Sequence, residues 1–265
     1  MSAMNRDSKE MIVIILAAAV IVVIVVAGLF TYSGLNRPLT VVESNSMQHS
    51  DSTSYLGIID TGDMVVMVSP DKTDVTTFVE GHQNGYSKFG SYGDVIIYYR
   101  ATKNPVIHRA ILWLDYDEST SRWSAPALEK YPVDLWSNEG TWDDLSGNLV
   151  LKGLPYKNDA VNLSINIDDL AHHSGYLTKG DNNAYFDQLT SIHTEPVERS
   201  ELKAIAGLEV PWLGCIKLLV KDKNTNMIPE NSKTCLIIFF IDVIAFIVLI
   251  SMLLDYRRRM RPFYD

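Results

Sequence analysis

Cysteine is nearly missing: the chain has two in 265 residues, Cys215 and Cys235. A disulfide framework needs more, so the fold must rest on a packed core. Missing too are an HExxH motif and any cysteine pair at zinc-ligand spacing, which argues against metal catalysis. His172-His173 does not repair this, because adjacent residues point to opposite faces of a strand and diverge on a helix. No metal and no cofactor are expected. Positive charge is also short, with 23 Lys and Arg against 32 Asp and Glu and a formal net charge of −9. Nucleic-acid binding wants a basic face, so no nucleic-acid partner is expected. No internal repeat is visible, and between two long apolar runs the first helical periodicity comes only at Ser200–Leu208.

Those runs are the first positive feature. Residues 11–30 (MIVIILAAAVIVVIVVAGLF) carry no charge, and about twenty apolar residues rising about 1.5 Å each cross a bilayer core. A cleaved secretory signal has a shorter apolar region, roughly 7–15 residues, ahead of a small-residue cleavage site. Here Ala17-Ala18-Ala19 lies inside the run, so an uncleaved anchor is expected. Residues 235–254 form the second span. Its single charge, Asp242, costs ~3 kcal/mol near a membrane centre, and its fifteen Leu, Ile, Phe and Val residues outweigh that. Asp242 reads first as a charge tolerated near an interface or a helix partner, second as a functional intramembrane group.

Arg6 and Lys9 precede the first run, and Arg257, Arg258, Arg259 and Arg261 follow the second. Short positive flanks stay cytoplasmic. The expected layout is a cytoplasmic N-terminus (1–10), a first span (11–30), an extracytoplasmic domain (31–234), a second span (235–254) and a basic cytoplasmic tail (255–265). This is a two-span cell-membrane protein with the lipid bilayer as a partner.

The segment between the spans reads as mainly β. Leu39–Val42, Met64–Val68, Val95–Tyr99 and Val106–Leu114 are short runs rich in β-branched and aromatic residues, and Asn148–Leu154 and Asn162–Ile167 also look extended. Asp60-Thr61-Gly62-Asp63 and Ser91-Tyr92-Gly93-Asp94 are turns that launch strands. Residues 115–172, acidic and carrying Trp123, Trp136 and Trp142, read as an inserted subdomain. Its tryptophans are expected to fill a small core before they touch lipid or substrate. Asn162-Leu163-Ser164 fits a glycosylation sequon.

Ser44-Asn45-Ser46-Met47 follows the first span closely, with Ser46 sixteen residues beyond its end. A serine hydroxyl is a poor nucleophile until a base removes its proton, and that base works best when a third group orients it. Among six histidines, His108 stands in a β-rich run, Val106–Ile111, where its position would be rigid. Asp181 and Asp187 are the carboxylate candidates, in a segment running from Thr178 through Gly180-Asp181-Asn182-Asn183. Taken singly, each piece has a plain structural reading: a solvated serine, a packed histidine, a turn.

Taken in order, these motifs resemble the type I signal peptidases of the archaeal and endoplasmic-reticulum branch. The match lies in Ser44-Asn45-Ser46-Met47, Thr61-Gly62-Asp63, Gly93-Asp94-Val95-Ile96, Ile107-His108-Arg109, Lys179-Gly180-Asp181-Asn182-Asn183 with Asp187, and Val210-Pro211-Trp212-Leu213-Gly214. The resemblance covers roughly 10–112 and 174–216. It implies a signal-peptidase-like β catalytic domain that cuts signal peptides from secretory preproteins after small residues, with the protein translocon as a partner. It also implies Ser46 as nucleophile, His108 as general base, Asp187 orienting His108, Asp181 organising its loop, and Ser44 supporting the oxyanion. The chain departs from the pattern at Gln48-His49-Ser50-Asp51, where the family often has an acidic residue, Pro and Thr. A relative with a narrow substrate set and a non-catalytic membrane-anchored β module for surface assembly are the alternatives.

Overall fold

The computed structural model describes residues 6–99 and 105–260, with side chains from residue 12 to residue 257. Arg6, Lys9, Arg258, Arg259 and Arg261, which set the expected orientation, lie outside the described side chains.

The chain runs α1 (Arg6–Ser33), β1 (Leu39–Val41), β2 (Met64–Val68), α2 (Phe78–Asn84), β3 (Ser87–Lys88), β4 (Ser91–Tyr92), β5 (Val95–Tyr99) and β6 (Pro105–Asp117). It continues with β7 (Arg122–Ser124), β8 (Trp136–Ser137), β9 (Asn148–Tyr156), β10 (Asp159–Asn166), β11 (Gly175–Lys179) and β12 (Leu202–Val210). It ends with α3 (Cys215–Lys221) and α4 (Glu230–Met260). As a whole it is a mixed helix and sheet chain rather than a mainly β one. The helix lies largely in α1 and α4, each with a stretch long and apolar enough to cross a membrane: Ile12–Ser33 (mean hydropathy 3.5) and Glu230–Arg257 (3.0). Both are exposed along nearly their full length. Asp242 sits on the exposed surface of α4.

Between them an antiparallel sheet runs in the order β1-β2-β12-β5-β6-β11. The position of β12 corrects the helix expected at Ser200–Leu208. After a 3-10 turn at Arg199–Glu201, Leu202–Val210 is inserted as a strand between β2 and β5. Ala204, Ile205, Ala206 and Gly207 are all buried, because the strand is covered on both faces. A strand buried on both sides loses the two-residue alternation by which strands are read. Pairing with two neighbours then overrides local preference.

Residues 117–172 fold onto the far end of β6. β7 pairs with β6, and β8, β9 and β10 form a separate antiparallel sheet. Trp123, Leu149, Leu151, Leu154 and Ile165 share one cluster with Ile111, Leu112 and Leu177 of the main sheet, and Trp136 and Trp142 pack against it. This segment therefore has no core of its own; its apolar face completes that of the main sheet.

At the opposite end, the turn Gly62-Asp63 is locked to Gly214-Cys215. Gly62 has φ +96°, and a Cβ there would lie 2.3 Å from Cys215 Sγ. Asp63 accepts hydrogen bonds from the Trp212 and Asp60 backbone N–H groups (2.8 and 2.7 Å). This junction sets α3 and the start of α4 against β1 and β2.

Candidate active site

The Ser46 segment is held from below and from the side. Met47 is buried among Val42, Ile59, Val65, Phe89, Val95 and Ala206, which drives the backbone of its neighbour to the surface of the core. Asn182 then clamps it: its N–H donates to Ser46 O (2.8 Å) and its Nδ2 to Asn45 O (2.8 Å). Ser46 is half-buried and Ser44 exposed, and their hydroxyl oxygens are 3.2 Å apart.

His108 and Arg109 are neighbours on β6, so their side chains leave on opposite faces. Each finds its own aspartate. His108 Nδ1 lies 2.6 Å from Asp187 Oδ2, both side chains buried. Tyr98 Oη and Thr178 Oγ1 donate to the same oxygen at 2.6 and 2.7 Å. Burial alone would push the Asp187 carboxyl up, but the charge of His108 and the hydrogen bonds from His108, Tyr98 and Thr178 outweigh it and hold the group below its ordinary range. An ionised carboxylate only accepts. The Nδ1 atom of the ring therefore carries a proton, and in the neutral ring this leaves Nε2 its lone pair.

Arg109 is fully buried, and Nε and Nη2 grip Asp181 at 2.9 and 2.6 Å. Its remaining donors go to backbone carbonyls around the β3–β4 hairpin, among them Lys88 (3.0 Å) and Gly93 (2.9 Å). His49 approaches Asp181 from the other side, 3.5 Å from Oδ2. Burial pushes the Asp181 carboxyl up, and the Arg109 guanidinium and His49 more than offset this, holding it well below the carboxylate range. Of the two carboxylates, Asp187 meets the histidine ring and Asp181 does not.

Gly180 joins the two halves. A Cβ at this position would lie 2.5 Å from Ser46 O and 2.9 Å from His108 Nε2. The serine backbone and the free ring nitrogen therefore converge on a space that only glycine leaves open. Beside it, the buried Lys179 donates to Gly180 O (2.9 Å) and to Pro155 O, and burial pushes its ammonium down to about 8.

Ser44, Ser46 and His108 line one cleft of about 560 Å³. One wall is Thr40–Ser44, continuing β1; the other is Pro105–His108 of β6. Both walls are strand edges: β1 is the outer strand of the sheet, and β11 pairs with β6 only from Arg109 to Leu114. Lys217 and Lys223 close the rim through Glu43 (2.9 and 2.5 Å), and hydrogen bonds from these lysines hold the Glu43 carboxyl below its ordinary range. Ser46 Oγ bonds to Ser44 Oγ and not to the His108 ring among the described residues. Also among the described residues, no three His, Cys, Asp or Glu side chains are grouped to hold a metal ion. His172 stacks on Tyr116 while His173 turns toward Glu195 and Glu198.

Sequence reading passed over Tyr98, Thr178, Arg109, His49 and Asn182 as site residues. One signal was available: adjacent His108 and Arg109 on a strand, facing two aspartates six residues apart, imply two separate pairs. The chain matches no protein-family model and no curated protein.

Proposed function

We propose that this protein is a membrane-bound serine endopeptidase of the signal peptidase type, with Ser46 as nucleophile and His108 as general base. The observation that carries this reading is the 2.6 Å contact between His108 Nδ1 and Asp187 Oδ2, with Nε2 directed to the cleft that Ser46 lines. A base oriented from behind by a carboxylate, its free nitrogen beside a serine, is what acyl transfer requires.

In this mechanism Ser46 Oγ attacks the scissile carbonyl carbon while His108 Nε2 takes the hydroxyl proton. Asp187 stays ionised and stabilises the imidazolium. The Ser46 N–H and the Ser44 hydroxyl support the oxyanion; one such donor is worth about 2.7–4 kcal/mol in rate. The intermediate collapses as Nε2–H protonates the leaving amine. Water, deprotonated by the same nitrogen, then releases the acyl group. The two strand edges of the cleft suit a substrate that adds as an extended strand, held through its backbone with little demand on sequence. This fits the diverse signal peptides of secretory preproteins, delivered by the translocon and cut after small residues. The two apolar helices support a two-span membrane protein, and its basic flanks support cytoplasmic termini with the sheet domain outside.

The test is cleavage of a preprotein bearing Ala-x-Ala before its mature start, using the purified chain in detergent. Ser46→Ala and His108→Ala should each abolish cutting at that site, and a chelator should leave it unchanged. Cleavage retained by Ser46→Ala would end the serine mechanism.

A further inference from the structure

We propose that Tyr98 and Thr178 are positioning residues of this site, holding Asp187 Oδ2 on His108 and setting how strongly that carboxylate pulls on the ring. The inference rests on His108 being the base. Three donors converge on one oxygen: Tyr98 Oη at 2.6 Å, Thr178 Oγ1 at 2.7 Å and His108 Nδ1 at 2.6 Å. Tyr98 and Thr178 each have a single hydroxyl proton, and a buried ionised carboxylate claims both. Their own 3.1 Å contact then carries no proton between them. Asp187 Oδ1 is buried and accepts from none of the described residues. Among the described residues no donor competes there to rotate the carboxylate, and turning it away would break all three bonds on Oδ2 together.

The donors come from different strands, Tyr98 from β5 and Thr178 from β11, on either side of β6, which carries His108. Asp187 is thus fixed against the sheet that fixes the ring. Among the described residues, the other charged and titratable groups near this assembly have partners of their own. Lys179 is buried and engaged with Pro155 O and Gly180 O. His193 packs edge-on against the Tyr98 ring, 5.6 Å away, and bonds to Glu201. Asp181, Arg109 and His49 form the separate group described above. Each hydroxyl donor draws negative charge away from the imidazole. Removing one leaves more of that charge facing Nδ1–H, so the imidazolium is stabilised and His108 titrates at higher pH.

The experiment compares Tyr98→Phe, Thr178→Val and Thr178→Ser with the parent chain in detergent. The readouts are the NMR titration of the assigned His108 ring and kcat and KM on the preprotein. Tyr98→Phe and Thr178→Val should each raise the His108 midpoint and lower kcat roughly tenfold with KM little changed; Thr178→Ser, which keeps the donor, should match the parent. A His108 midpoint that stays in place or falls in both Tyr98→Phe and Thr178→Val overturns the inference, whatever happens to kcat. Because the titration needs no cleavage, it also separates this inference from the serine reading: activity surviving Ser46→Ala would end that reading, while the midpoint still decides the role of the two hydroxyls.

Discussion

Arg109 and Asp181 form an ion pair at 2.6 Å with neither side chain exposed to solvent. The remaining guanidinium donors are spent on backbone carbonyls of residues 88–93. The pair therefore ties the Gly180 loop to the β3–β4 hairpin, and does so from the face of β6 opposite to His108.

This division of labour predicts opposite phenotypes for two similar substitutions. Asp181→Asn leaves a buried guanidinium without its counter-charge, a loss of about 3–5 kcal/mol, seen as a large drop in melting temperature. Asp187→Asn keeps the shape of the site but presents an amide donor to Nδ1–H and inverts the tautomer, which can cost on the order of 10⁴ in kcat. Its melting temperature should fall less than that of Asp181→Asn. Equal thermal losses in the two variants would refute the separation.

Gly180→Ala tests the convergence of Ser46 and His108. The added methyl would sit 2.5 Å from Ser46 O and 2.9 Å from His108 Nε2, so one of the two must move. A displacement of about 1 Å at a reacting centre can cost about 10²-fold in rate. The expected result is that loss in kcat/KM on the preprotein, with an unchanged circular dichroism spectrum.

Stability should fall as pH rises through neutrality. Burial pushes the Glu209 carboxyl up to about 7 and Asp60 up to about 6. A group whose folded pKa exceeds its unfolded value contributes stability that is complete below the unfolded pKa, about 4 for a carboxylate. That contribution is lost as pH climbs through the folded value. Melting temperature should therefore decline between about pH 5 and 8. Glu209→Gln, whose amide oxygen can still accept from Gly57 N–H, should flatten the decline by about 2 kcal/mol, less than the full shift implies because the group is partly exposed and screened by solvent.

Trp123→Ala probes the shared core. Trp123 is 4% exposed and packs in the cluster that spans both sheets, and truncating a buried aromatic costs about 3–5 kcal/mol. Because the insertion has no separate core, unfolding followed by tryptophan fluorescence and by loss of cleavage should shift together. A variant that melts in two steps would show the insertion to be an independent unit.

Much of this arrangement was legible because it is local. Met64–Val68 and Val95–Tyr99 are β-branched runs that become strands with those same bounds, and charge-free length marks both long helices. α2 carries a full capping box, Thr77 with Glu80, which is itself a local signal for a helix start. β12 was misread because its partners, β2 and β5, lie more than a hundred residues earlier. Within the candidate site, Ser46, His108 and the two aspartates could be named from motif order. The hydroxyls of Tyr98 and Thr178 could not, since a tyrosine and a threonine in strands are ordinary until a register brings them to one oxygen.

The clamp of Asn182 on the Asn45 and Ser46 carbonyls spans 137 residues of chain. Ser46 leaves the ribosome long before the segment that shapes its backbone has been made. A growing chain would thus carry Ser46, and later His108, without the Asn182 clamp and without Asp187 until residues 117–172 had been made. Competence would arrive late and all at once, when residues 178–187 close over the serine. On the proposed endopeptidase reading, the order of translation itself would keep the newborn protein from cutting its neighbours.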